Sequence, residues 1–119
     1  MPNQILIVED HPDTQQGLKQ LLQLVGYHVL TANNGQQGLM KASAHLPDLI
    51  ITDVMMPVMD GIEMVKQLRA STAFRKTPII VVSAYITKAA EAVQAGANDV
   101  MPKPIDTDLL MHRIETLMG

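Results

Sequence analysis

A chain of 119 residues is the size of one domain, about 100–150 residues being typical, and its 47% hydrophobic share suits a packed core and excludes disorder. The absence of cysteine excludes a disulfide scaffold, thiolate zinc sites and a cysteine nucleophile, and it suits a reducing compartment. Nine Lys and Arg against twelve Asp and Glu give a net charge of −3, and Tyr27, Phe74 and Tyr85 are the only aromatics, so neither a basic stripe nor stacking rings are present for direct nucleic-acid binding.

Five short apolar runs read as strands: Ile5–Val8, His28–Leu30, Leu49–Thr52, Ile79–Val82 and Val100–Met101. The first, third and fourth are nearly all apolar and β-branched, as in a parallel sheet buried on both faces. Helical spacing lies between them. Asp13 is a candidate N-cap with Gln16 as its capping-box partner; Leu18, Leu21, Leu22 and Val25 follow, and Gly26 ends the helix. Leu39, Ala42 and Leu46 mark a second helix ended by Pro47, and Ile62, Val65 and Leu68 a third, with Asp60-Gly61 as its entry turn. Ala89, Ala92 and Val93 mark a fourth, ended by Gly96, and Leu110, Ile114 and Leu117 a fifth, started by Asp106 or Thr107. Strand–helix alternation along the whole chain predicts an α/β fold of right-handed crossovers, in one domain spanning residues 1–119. No apolar run approaches the ~18 residues of a membrane span, and the opening MPNQILIVED lacks the basic and long apolar segments of a secretory signal, so no membrane insertion and a cytoplasmic location are expected.

In open parallel sheets the chemistry sits beyond the carboxyl ends of the strands. There the sequence places Glu9, Asp10 and His11, then Thr31-Ala32-Asn33, then Asp53, Ser83 and Lys103. Each has an ordinary reading alone: a turn acid, a strand-end hydroxyl, a surface lysine between Pro102 and Pro104. Asp53 is the most anomalous, because it interrupts an apolar run, and a carboxylate so placed needs a charge partner or a raised pKa. Three carboxylates brought together repel unless a cation neutralises them, and hard oxygen donors suit Mg²⁺. A carboxylate nucleophile, a divalent cation, an ammonium and a hydroxyl donor together describe phosphoryl transfer to an aspartate. The four histidines (His11, His28, His45 and His112) show no metal-ligand spacing, and His11 reads as a loop residue beside the acids. Asp99 reads as solvated, and Lys88, Glu91 and Arg113 as solvated helix faces open to partners. Met55, Met56 and Met59 read as packing and loop closure near the site.

These residues resemble the receiver domain of two-component response regulators. The resemblance rests on Ile5-Leu6-Ile7-Val8-Glu9-Asp10, on Asp53 followed by Met56-Pro57 and Met59-Asp60-Gly61, on Pro78–Ser83-Ala84, and on Lys103-Pro104, and it covers essentially the whole chain. It implies a flavodoxin-like, doubly wound five-stranded parallel sheet of order 2-1-3-4-5 with helices on both faces. It implies Asp53 as phosphoacceptor, Asp10 as a direct Mg²⁺ (or Mn²⁺) ligand with Asp53 and the Met55 backbone carbonyl, and Glu9 acting through water. Ser83 and Lys103 match the groups that bond the phosphoryl oxygens, and the Lys103–Pro104 peptide is expected to be cis, an uncommon geometry. The implied partners are a sensor histidine kinase or histidine phosphotransfer protein upstream and an effector protein or output domain downstream. The implied readout surface is the fourth helix, fifth strand and fifth helix.

Two features depart from the family pattern. The place of an inward-turning aromatic ring, three residues before the lysine, is Val100, so the switch rests on Ser83 and its loop, with or without Tyr85 as a substitute gate. Met55 and Tyr85, two residues after Asp53 and Ser83, are bulky where the family tunes the access of hydrolytic water, which predicts slow autodephosphorylation. With no output segment in the sequence, the chain reads as a stand-alone regulator or a receiver from a larger protein. No enzymatic activity is expected beyond self-catalysed phosphotransfer and autodephosphorylation. Two other classes stay open: an Asp-nucleophile phosphatase of haloacid dehalogenase type, which needs a second Asp where Met55 stands, and an FMN-binding flavodoxin-like module, whose phosphate loop is acidic here at Glu9-Asp10-His11-Pro12.

Overall fold

The five apolar runs do form strands in the structure, a computed structural model that describes residues 3–118. In chain order these are β1 (Gln4–Val8), α1 (Pro12–Val25), β2 (His28–Ala32), α2 (Gly35–His45), β3 (Leu49–Asp53), α3 (Gly61–Ala70), a 3₁₀ turn at Thr72–Phe74, β4 (Ile79–Ser83), α4 (Thr87–Ala95), β5 (Asp99–Pro102) and α5 (Thr107–Met118). All pairings are parallel and the order is β2-β1-β3-β4-β5. This is the expected doubly wound α/β sheet.

Successive strand residues point to opposite faces, and both faces are buried. Leu6, Val8, Ile50, Ile79 and Val81 pack with Ala42, Met64, Val65, Leu68 and Ala92 of α2, α3 and α4. Ile5, Ile7, Leu49, Ile51, Ile80 and Val82 pack with Leu18, Leu22, Leu110 and Ile114 of α1 and α5. With few rings available, aliphatic side chains fill both layers, and Phe74 is the one buried aromatic among the described residues.

Several local expectations are corrected. His11, not Asp13, caps α1: its Nδ1 accepts from the Thr14 N–H at 3.4 Å, and Pro12 occupies the first helical position, where a missing N–H costs nothing. Gly26 ends that helix in the left-handed region, as its position predicts. Val25, Leu46 and Val93 lie outside the core, at 52%, 62% and 58% exposure. Leu46 is turned out because it caps α2 in the left-handed region, and α4 instead buries the smaller Ala92 and Ala95. Asp99 is mostly covered rather than solvated, because Arg113 of α5 pairs with it. Asp60 caps α3 by accepting from the Glu63 N–H at 2.8 Å, and Asp106 accepts from the Leu109 N–H at 3.1 Å at the start of α5.

Candidate functional site

The strand register brings the predicted acids together. Val8 pairs with Thr52 across β1 and β3, so Glu9 and Asp10, just past β1, stand beside Asp53, the last residue of β3. One carboxylate oxygen from each of the three lies within 4.8 Å of the others. Glu9 is 5% exposed and Asp53 9%, whereas Asp10 is open to solvent.

Lys103 reaches this cluster from the loop after β5. Its Nζ donates to Asp53 Oδ2 at 2.6 Å and to Glu9 Oε1 at 3.4 Å. The Lys103–Pro104 peptide is cis, as the resemblance implied. The second oxygen of each buried acid takes a backbone donor: the Val54 N–H on Asp53 Oδ1 at 2.7 Å and the His11 N–H on Glu9 Oε2 at 3.0 Å. Burial pushes the Glu9 pKa up, helped by the charge of Asp53 and a hydrogen bond with Asp10, against the lowering effect of the His11 amide and Lys103. Burial alone would lower the Lys103 pKa, but the hydrogen bond and charge of Asp53, then of Glu9, outweigh it and leave that pKa raised. The cluster therefore holds negative charge that one ammonium does not neutralise.

Ser83 ends β4, but its hydroxyl is turned to its own loop. It accepts from the Tyr85 N–H at 3.0 Å and donates to the Tyr85 carbonyl at 3.1 Å. Tyr85 and Val100 line a half-open apolar cavity of about 290 Å³ with Ala84, Ala89 and Met101. Val100 is partly buried and no ring occupies that space. Met55 is 54% exposed beside the acids, while Met56 and Met59 pack against the core.

Two positioning groups escaped the sequence reading, and a third, Gly61, was read only as part of the turn into α3. Gln15 is buried on α1 and its Nε2 donates to the Glu9 carbonyl at 2.8 Å, the Ala32 carbonyl at 3.1 Å and Asn33 Oδ1 at 2.9 Å, tying the carboxyl ends of β1 and β2 together. Its signal was a polar residue on the inward face, one turn before Leu18. Thr52 is fully buried and donates to the Asp53 carbonyl at 2.8 Å. Gly61 passes so close beneath the end of β3 that a Cβ there would lie 1.9 Å from the Asp53 carbonyl oxygen. Only glycine permits that approach.

Residues 5–115 match the response regulator receiver domain family. The chain belongs to that family. It is 39% identical over 116 residues to "Hybrid signal transduction histidine kinase D" of Dictyostelium discoideum, a match covering 96% of this chain and 7% of that protein. It is 31% identical over 121 residues to the "Polar-differentiation response regulator DivK" of Brucella anthropi, covering 100% of this chain and 98% of that protein. Among solved structures it superimposes with a TM-score of 0.93 and 30% identity on the receiver domain of sensor histidine kinase PA1611 from Pseudomonas aeruginosa, covering 100% and 99% of the two chains; that structure has a magnesium ion coordinated in its active-site cleft. The chain spans about half, 51%, of the length of the MprA response regulators it matches. The receiver is thus a module of two-component signal transduction, and nothing favours the phosphatase or the flavin module. No helix among its described residues is long and apolar enough to cross a membrane.

Proposed function

We propose that Asp53 is the phosphoacceptor of this receiver and that residues 1–119 act as a single switch unit. The observation that carries the reading is the contact of Lys103 Nζ with Asp53 Oδ2 at 2.6 Å inside a cluster of three carboxylates. An all-oxygen donor set with surplus negative charge fits Mg²⁺ or Mn²⁺ rather than a softer ion. Asp10 and Asp53, with the Met55 carbonyl, would hold the ion directly, and Glu9 through water. When bound, the ion supplies charge neutralisation for a phosphoryl group.

The chain's own residues do the rest. The donor is a phosphohistidine on a sensor kinase or a histidine phosphotransfer protein. An Asp53 carboxylate oxygen attacks phosphorus, the O–P bond forms as the N–P bond breaks, and the electron pair leaves on the imidazole nitrogen, which takes up a proton. Lys103, already paired with Asp53, stabilises charge on the phosphoryl oxygens as a point charge. Ser83 donates its hydroxyl to the same group, which requires it to release the Tyr85 carbonyl. That exchange is the differential interaction that shifts the conformational equilibrium. It frees the loop leading into α4 and alters the α4–β5–α5 surface offered to an effector. Val100 leaves the neighbouring cavity open, so Ser83, Tyr85 and the loop carry the switch. Met55 and Tyr85 shield the aspartyl phosphate, which gives a lifetime of many minutes rather than seconds. The chemistry is self-catalysed phosphotransfer and slow autodephosphorylation, without a turnover substrate. We infer a cytoplasmic location, where nucleoside triphosphate is available to the donor kinase.

Incubation with Mg²⁺ and acetyl phosphate, followed by intact mass measurement, tests the reading. One added phosphoryl group is expected, lost in Asp53→Asn and lost with chelator. No addition under conditions that label another receiver overturns it.

A further inference from the structure

We propose that Thr52 is a positioning residue for the Asp53 carboxylate, an inference that rests on Asp53 being the phosphoacceptor. Thr52 follows Leu49, Ile50 and Ile51 in β3 and is itself fully buried. A hydroxyl in such surroundings needs a partner, since an unpaired one is costly to bury. It donates to the Asp53 carbonyl oxygen at 2.8 Å.

That oxygen and the Val54 N–H are the two ends of one peptide unit. The Val54 N–H donates to Asp53 Oδ1 at 2.7 Å. A peptide is a rigid plane, so a hold on its oxygen also aims its N–H. The chain of contacts runs from the Thr52 hydroxyl, through the 53–54 peptide, to Oδ1. With Oδ1 fixed, Oδ2 is the oxygen presented to Lys103, at 2.6 Å. Gly61 closes the other side: its N–H donates to the Val54 carbonyl at 2.9 Å, and a Cβ there would lie 3.0 Å from Thr52 Oγ1. Valine at position 52 keeps the shape and removes the donor, so the peptide loses its anchor and the carboxylate its orientation.

The test compares the wild type with Thr52→Val, Thr52→Ala and Thr52→Ser. Two readouts are taken at one pH: the Val54 amide proton shift, and the rate of labelling by acetyl phosphate with Mg²⁺. Alanine is the second hydroxyl-free variant, in case valine does not fold, and serine restores the donor without the methyl. In Thr52→Val and Thr52→Ala the Val54 amide is expected to move upfield and labelling to slow by about 10-fold, the usual scale for a group supporting a reacting ligand. Thr52→Ser is expected to restore both. An unmoved Val54 amide overturns the proposal, and so does a moved amide with wild-type labelling. Failure of the phosphoacceptor reading looks different: the wild type is unlabelled, or label survives Asp53→Asn, whatever the Thr52 variants do, and the proposal then falls with that reading.

Discussion

The two ends of the β-sheet solve the same electrostatic problem in opposite ways. At the amino ends of the strands each acid has its own partner. Asp48 accepts from the Gln4 N–H at 2.7 Å, and Asp99 is paired with Arg113. Arg69 donates to the Gly96 carbonyl at 3.0 Å, to Asn98 Oδ1 at 2.8 Å and to the Phe74 carbonyl, and the same Asn98 oxygen accepts from the Ile79 N–H at 2.8 Å. At the carboxyl ends, Glu9 and Asp53 share the ammonium of Lys103, and the neighbouring Asp10 has no cationic partner among the described residues. Among the described residues no buried side-chain nitrogen or oxygen lacks a hydrogen-bond partner. What separates the two ends is therefore charge, not hydrogen bonding. One end is balanced by the fold alone, and the other keeps an excess of negative charge.

Gly61→Ala should strike the functional end hardest. A Cβ 1.9 Å from the Asp53 carbonyl forces backbone to move, with an expected loss of about 3 kcal/mol. Urea unfolding reads the loss, and a Mg²⁺ titration of the folded fraction should show weakened binding. Normal stability with normal Mg²⁺ binding would mean that α3 and Asp53 are less tightly joined than their geometry says. Arg69→Met is the counterpart at the structural end. Its guanidinium is partly buried, which lowers its pKa, and its donors hold three chain segments together. Loss of these charged hydrogen bonds should cost about 2 kcal/mol in urea unfolding. Mg²⁺ affinity and acetyl phosphate labelling should not change, and a matching fall in either would break the contrast between the two ends.

Glu9→Gln probes the surplus charge directly. The folded-state pKa of Glu9 is raised above its ordinary value of 4.5, so in that window the folded chain binds more protons than the unfolded one. Its contribution to stability is present below that value and is lost as pH rises through the raised pKa. Lys103, also raised, contributes across the neutral range and is lost only above its ordinary value of 10.5. Without Mg²⁺ the melting temperature should therefore decline from mildly acidic to neutral pH, and Glu9→Gln should flatten that decline. At neutral pH the variant should be more stable than the wild type by about 1 kcal/mol and should gain less from added Mg²⁺. A wild type that melts higher at neutral pH without the ion than in mild acid would show that Lys103 already balances the cluster.

The sequence made the strand–helix alternation and the four strand ends legible because both depend on patterns local to the chain (β-branched runs, helix spacing, and a polar residue where each run stops), whereas the sheet order came only from the family resemblance. Asp53 stood out because nothing apolar surrounds a carboxylate without cause. What the sequence left hidden depends on contacts across the fold. Gln15 bridges two strand ends only because α1 packs over them, and Gly61 must be glycine only because α3 starts beneath Asp53. Asp99 read as solvated because its partner, Arg113, comes from a helix late in the chain. His11 took the cap from Asp13 because Pro12, a residue that lacks an N–H, fits the first helical turn. The direction of the Ser83 hydroxyl could not be read at all, since its partners are backbone atoms of its own loop.

The smallest expected effect concerns backbone strain, which is present at both ends. Leu46, before β3, has φ of 48°, and Val58, in the loop after Asp53, has φ of 69°. The left-handed region costs an ordinary residue about 1 kcal/mol, and more for a β-branched one, while Asn tolerates it. Val58 is 84% exposed, so its side chain recovers little by packing. Val58→Asn should raise stability by about 0.5–1 kcal/mol, and Leu46→Asn by a similar or smaller amount. If the loop after β3 only has to deliver Asp53 and the Met55 carbonyl to the cation, Val58→Asn should leave Mg²⁺ affinity and labelling by acetyl phosphate unchanged, while phosphotransfer from a protein donor reports whether the exposed valine is part of the docking surface. Slower transfer from the kinase with normal acetyl phosphate labelling would assign the strained valine to recognition. Equal rates from both donors would leave it as strain that the fold tolerates at either end of the sheet.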